Sequence, residues 1–176
     1  MKKKLLCLAL IGIFSFTLVG CTNESKNNSV DIGKKSKYVL RNDLVSISVN
    51  EESLTNLKAT FTLINHTDEN YDYGEPYLIE YEKDGIWYKI VPINDMNFNM
   101  IAYILKPKES RKITVDWEYH YGKLSPGKYR LIKDVFRESD RPIEESDKVY
   151  IGAEFEIKWF TYKQNTQLPK IGIFGV

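Results

Sequence analysis

From Leu44 onward the chain alternates between apolar and polar positions. Val45, Ile47 and Val49 fall on one side and Ser46 and Ser48 on the other, the period-two pattern of a strand with one buried face. Leu57, Ala59, Phe61 and Leu63 repeat it against Lys58, Thr60 and Thr62, and the polar run Asn65-His66-Thr67-Asp68-Glu69-Asn70 ends it as a loop. Residues 77–83 and 86–90 flank Asp84-Gly85, a dipeptide suited to a two-residue turn with positive φ at both positions, so an antiparallel hairpin is predicted. Residues 91–99, with Pro92 and several asparagines, read as a connection. Residues 103–105 give a brief strand closed by the turn Lys106-Pro107-Lys108-Glu109, and Ile113, Val115 and Trp117 alternate with Lys112, Thr114 and Asp116 in the next. A strand over 128–136, a charged loop over 137–148, and Val149, Ile151, Ala153, Phe155 and Ile157 as the inward side of a last strand complete the pattern. Seven to nine short strands, frequent turns and no helical period predict an all-β antiparallel sandwich.

The connection into strand 128–136 has its own chemistry. Residues 121–130 read Tyr-Gly-Lys-Leu-Ser-Pro-Gly-Lys-Tyr-Arg, a corner built from Leu124, Pro126, Gly127 and Tyr129. Pro126 presets one backbone angle and Gly127 permits positive φ. In immunoglobulin-type sandwiches a tyrosine at this place turns its hydroxyl back onto the crossover and ties it down, and Tyr129 is expected to do so here.

Residues 1–20 carry the parts of a secretory signal: Lys2, Lys3 and Lys4, a mostly apolar run over 5–19, and a small residue before Cys21. Leu18-Val19-Gly20-Cys21 resembles the bacterial lipoprotein processing site. That resemblance implies lipid on the Cys21 thiol, a mature chain starting there, and a place on the outer face of the cell membrane. The polar stretch 22–37 reads as a flexible tether and 38–158 as the sandwich domain. The tail over 159–176 ends in Ile171-Gly172-Ile173-Phe174-Gly175-Val176, a run able to add to a sheet edge or to fray.

Removing the signal changes the charge. Lys plus Arg falls from 25 to 22 against 24 Asp plus Glu, so the formal balance moves from +1 to −2. A chain that is not basic is a poor partner for nucleic acid. With Cys7 removed and Cys21 lipidated, no disulfide and no thiolate metal site is expected, and burial alone must hold the sandwich.

Little catalytic chemistry is visible. His66 and His120 fall in loops at opposite ends of the sandwich and read as solvated. Glu80 and Glu82 share a strand face that reads as the solvent side of the hairpin, not a glycosidase pair. No nucleophile elbow or phosphate loop occurs. The loops after the second and before the last strand bring His66, Asp68, Glu69, Glu138, Asp140, Glu144, Glu145 and Asp147 to one end, a candidate binding surface. Calcium favours such oxygen-rich clusters, but Arg137, Arg141 and Lys148 interleave and favour a solvated charged loop. Trp87 and Trp117 are expected in the core, with the tyrosines at its rim. No metal and no cofactor is expected.

Tyr73-Gly74-Glu75-Pro76-Tyr77, Gly85-Ile86-Trp87-Tyr88, Tyr103-Ile104-Leu105-Lys106-Pro107, Asp116-Trp117 and the 121–130 block together resemble a bacterial immunoglobulin-like domain family of exported Gram-positive lipoproteins. The resemblance covers roughly 44–157 and implies an immunoglobulin-like fold in a surface setting, without catalytic residues. Lys108 stands where that family has glycine, which a turn without positive φ would tolerate. The expectation is a non-enzymatic, lipid-anchored binding module for a surface protein or cell-wall component. The alternatives are an exported inhibitor or regulator of a hydrolase, and a glycan-directed enzyme.

Overall fold

The computed structural model describes residues 30–139 and 142–158. The signal, Cys21, Asp140 and the tail over 159–176 lie outside the described residues. The elements in order are β1 (Ile32–Lys35), β2 (Val45–Val49), β3 (Lys58–Asn65), β4 (Tyr71–Tyr73), β5 (Leu78–Lys83), β6 (Ile86–Ile90), β7 (Tyr103–Leu105), β8 (Ser110–Asp116), α1 (Glu118–Tyr121), β9 (Gly127–Arg137) and β10 (Val149–Ile157). Seven strands form one sheet, in which β1, β6, β5, β9 and β10 lie side by side while β4 pairs with β9 beyond the end of β5 and β7 pairs with β4. The second sheet runs β2-β3-β8, and every pairing in both sheets is antiparallel. The fold is the all-β antiparallel sandwich that the alternation predicts, immunoglobulin-like as the resemblance implies, and the described residues contain no cysteine.

Aromatic rings take the centre of the core. Trp117 and Tyr129 are fully buried and both stack on Phe155 of β10, at ring separations of 5.5 and 5.8 Å, while Phe61 of β3 meets the same ring edge-on at 6.2 Å. The Trp117 indole N–H, which a dry core would otherwise strand, donates to the Asn56 carbonyl at 3.0 Å. At the corner the Tyr129 hydroxyl donates to the Ser125 carbonyl at 2.7 Å, and Leu124 is buried with its N–H on the Asn56 carbonyl. Gly127 lies against the Tyr81 ring, where an added Cβ would come within 2.6 Å of Cε2.

Five expectations need correction. The stretch read as a tether contributes β1, whose Ile32 pairs with Ile90. From β1 the chain crosses the outer face of the large sheet, with Ser36 N–H on the Trp87 carbonyl and Arg41 N–H on the Tyr150 carbonyl, both at 2.8 Å. That crossing strap explains the second correction: Glu80 is not on a solvated face but fully buried, because strap residues roof the middle of the sheet. Trp87 is outside the core, on this same outer face, 4.5 Å from the Arg130 guanidinium. Tyr71, Tyr73, Tyr77 and Tyr121 are core residues and not its rim, packed into the apolar cluster between the sheets. Lys108 has φ 59° and occupies the third position of a turn closed by Glu109 N–H to the Lys106 carbonyl at 3.0 Å. The turn therefore does require positive φ, as a type II turn does, and Lys108 bears the strain.

Candidate functional site

The motif Tyr73-Gly74-Glu75-Pro76-Tyr77 breaks a strand. Tyr73 is paired with Val135 and Leu78 with Ile132, so four residues, 74–77, oppose only Lys133 and Asp134 of β9. Proline cannot donate to the ladder, and the carbonyls of the bulged segment lose their strand partners. Lys133 supplies them. Its side chain is on the inward face of β9 between Leu131 and Val135, and is 2% exposed. Its Nζ donates to the carbonyls of Gly74 at 2.8 Å, Glu75 at 3.3 Å and Pro76 at 2.9 Å. An ammonium has three protons, and three acceptors meet it. Burial nevertheless pulls its pKa down to about 8, against the opposing charges of Asp134 and Glu75. A lysine on the apolar face of a strand, opposite a Gly-x-Pro break, is the signal by which the sequence marks this residue.

The break opens the seam between the two sheets into a cleft of about 570 Å³. One wall is β8, with Arg111, Ile113 and Val115; the other holds Phe98 and Tyr103, with Lys133 in the floor and Tyr77 and His120 at one end. His120 is half-buried in an aromatic cluster and not a solvated loop residue: Phe98 lies 5.0 Å and Tyr77 5.8 Å from its ring. The Tyr77 hydroxyl donates to the Asp116 carbonyl at 3.0 Å, so His120 Nδ1, also 3.0 Å away, is the donor to that oxygen. Burial raises the Tyr77 pKa well above that of a free phenol and the Tyr121 pKa to about 12, so both stay neutral.

Glu75 and Arg111 in the cleft are tied to the scaffold, whereas Lys112 lines it as an exposed cation. The Glu75 carboxylate accepts from the Tyr103 hydroxyl at 3.3 Å and from Asn99, and Arg111 grips Glu109 through Nε and Nη2 at 3.0 and 2.7 Å. Main chain is open as well: among the described residues β8 pairs with β3 alone. Such an edge, beside an aromatic and aliphatic wall, recognises an extended peptide by ladder hydrogen bonds and alternate side-chain pockets.

The acidic loop end is different. Asp68 pairs with Lys108 at 3.1 Å, Glu69 with Arg137 at 2.9 Å, and Glu138 accepts from Asn70 at 2.6 Å, which brings these three acids to one end. His66 Nε2 meets Ser46 Oγ at 2.7 Å. Glu144 and Asp147 cap their own short turn reciprocally, and Glu145 pairs with Lys148 at 3.0 Å and with the Tyr150 hydroxyl. Among the described residues no group of three or more acids, histidines or cysteines is arranged to hold a metal ion. Sequence reasoning placed the candidate surface here and did not single out Lys133, Glu75 or Arg111 at the seam.

Residues 41–156 match a family described as bacterial Ig-like domain. No curated protein matches the chain. Three solved structures show a likeness. Pseudomonas fluorescens alkylpurine DNA glycosylase AlkC, bound to DNA containing an abasic site analog, has 21% identity over 66% of this chain and 31% of its own, with a TM-score of 0.32. Kluyveromyces marxianus beta-glucosidase in complex with glucose has 15% identity over 69% of this chain and 15% of its own, with a TM-score of 0.31. The PapD-like domain 7 of human CEP192 has 13% identity over 69% of this chain and 95% of its own, with a TM-score of 0.28. The chain therefore spans less than a third of the first of these proteins and less than a sixth of the second.

Proposed function

This chain belongs to the bacterial Ig-like domain family, and from that premise we propose that it is a non-enzymatic interaction module held on the outer face of the cell membrane by lipid on Cys21. The observation that carries the reading is the β8 edge beside the seam cleft, unpaired among the described residues, where main-chain donors and acceptors adjoin an apolar wall and Glu75 and Arg111 are already committed to the scaffold. Ligand recognition through a strand edge needs no reacting group, only a rigid sheet and pockets at alternate positions. The acidic loop end is a weaker candidate, because its acids are matched by Lys108, Arg137 and Lys148. The partner is an extended segment of a surface protein.

Two experiments test the two halves. A clickable fatty-acid label should mark the full chain in cells, and Cys21→Ser should abolish the label and release the protein into the medium; retention without label would sink the anchoring. For the binding face, a photoreactive residue is placed in turn at Thr114 on β8 and at Asp68 and Glu144 in the loops, and proteins captured in cells are identified. Capture of one recurrent surface protein at Thr114 supports the seam; capture at the loop positions alone transfers the interaction to the acidic end.

A further inference from the structure

The cleft beside β8 has a shape that a strand would complete. β8 is the outer strand of the small sheet, and Ile113 and Val115 on its inward side face Phe98 and Tyr103 across the seam. A strand added to its free edge would gain a ladder of hydrogen bonds and send every second side chain between those walls. An open apolar edge left uncovered is an aggregation hazard, which a fold commonly meets by covering it.

The chain carries a matching segment beyond the described residues. Ile171-Gly172-Ile173-Phe174-Gly175-Val176 holds no charge, and its β-branched and aromatic residues favour a strand. Its six residues compare with the seven of β8.

Where the chain leaves the domain fixes the direction. Ile157, the last residue of β10, pairs with Gly127. Asp116, the last residue of β8, pairs with Lys58, and the adjoining Trp117 and Leu124 bond the carbonyls of Leu57 and Asn56. β10 and β8 therefore end at the same end of the sandwich, and a segment returning from that end along β8 runs antiparallel to it. The connection is long enough. Residues 158–170 reach up to about 40 Å when extended, whereas crossing from one sheet to the other and past three strands requires about 20–25 Å.

We propose that residues 171–176 of the same chain add to the free edge of β8 as a fourth, antiparallel strand of the small sheet and occupy the seam cleft until a partner displaces them. The proposal rests on the reading of that cleft as the interaction site and makes the tail its resident competitor.

The test uses the full chain carrying a photoreactive residue at Thr114, purified in detergent, diluted to the monomer and irradiated without other proteins. Tryptic cleavage after Lys170 frees a peptide beginning at Ile171. The expected product is a crosslink to that peptide within the monomer, and Ile173→Pro should lower its yield about tenfold, because proline cannot donate to the ladder. A crosslink found in the dimer band alone would assign the strand to a second copy and overturn the proposal. So would a crosslink to any other segment, or none. The underlying reading fails separately: in cells, the Ile173→Pro chain should capture a foreign protein at Thr114 several-fold more than the unaltered chain. Capture that is equal in both chains overturns the competition, and absence of foreign capture in both removes the cleft as a partner site.

Discussion

Arg130 covers Glu80. Its Nε and Nη2 lie 2.8 and 2.7 Å from the same carboxylate oxygen, Oε2, and the two residues face each other directly across β9 and β5. The guanidinium also reaches Ser36 Oγ at 3.1 Å and stacks on Trp87, so the strap and the hairpin close over one buried ion pair. The other carboxylate oxygen, Oε1, is buried with no hydrogen-bond partner among the described residues. This pair holds the strap in register at the expense of desolvating two charges.

Breaking that pair should be costly and replacing it should not. Glu80→Ala leaves a buried guanidinium unpaired and is expected to lower stability by about 3–5 kcal/mol, whereas the double replacement Glu80→Leu with Arg130→Met is expected to be near neutral. Urea unfolding of the two variants checks this; an equal loss in both would show that the strap depends on the charges themselves.

Lys133 gives the domain an alkaline stability rise. Its folded pKa of about 8 lies below the ordinary value of 10.5, so between these the unfolded chain binds the proton that the folded chain has released, and stability increases with pH. The gain should be on the order of 1–2 kcal/mol by pH 9.5. Above pH 10 the buried Tyr77, Tyr121 and Tyr129, whose pKa values are raised, reverse the slope, because only the unfolded chain then ionises freely. Denaturant midpoints from pH 7 to 11 should rise and then fall. Lys133→Met should flatten the rise and lower stability at neutral pH, since three carbonyls lose their donor.

Tyr129→Phe removes the 2.7 Å bond to the Ser125 carbonyl and leaves a buried acceptor. The expected loss is about 1–3 kcal/mol, with no change of fold by circular dichroism. Unchanged stability would mean that the crossover is held by Leu124 and the Pro126-Gly127 turn alone.

Asn65 is a hub that the sequence presents as the first residue of a polar loop. Its amide donates to the carbonyls of Glu69, Leu105 and Lys106 at 2.7, 3.0 and 3.0 Å and accepts from the Thr67 N–H and hydroxyl at 2.9 and 2.8 Å. Asn65→Ala should cost about 2–3 kcal/mol and speed amide exchange in residues 66–70 and 105–109 ahead of the rest of the domain. Uniform acceleration across both sheets would show that the site is not a local clamp.

Local chemistry carried much of the architecture into the sequence. Alternation at Val45, Ile47 and Val49 and at Ala59, Phe61 and Leu63 marks inward faces because a strand's side chains must alternate, and the Asp84-Gly85 turn adopts φ 54° and 76° as a tight hairpin demands. The 121–130 block is legible for the same reason: proline, glycine and tyrosine at fixed spacing make one short-range hydrogen bond. Lys108 shows the limit of such reading, since a positive φ is borne by a non-glycine where the closing turn and the neighbouring Asp68 and His66 hold it.

What the sequence by itself determined is therefore the strand pattern, the corner and the family of the fold, all set by contacts a few residues long or by a periodic face. Only the tertiary structure decided that Glu80 is buried under residues some forty positions earlier in the chain, that Lys133 answers three carbonyls of the break between β4 and β5, and that among the described residues β8 has one edge unpaired beside a cleft. Those outcomes depend on which strands become neighbours. A charged residue in a strand faces water or a partner according to what the rest of the chain lays over it, and alternation alone does not carry that information.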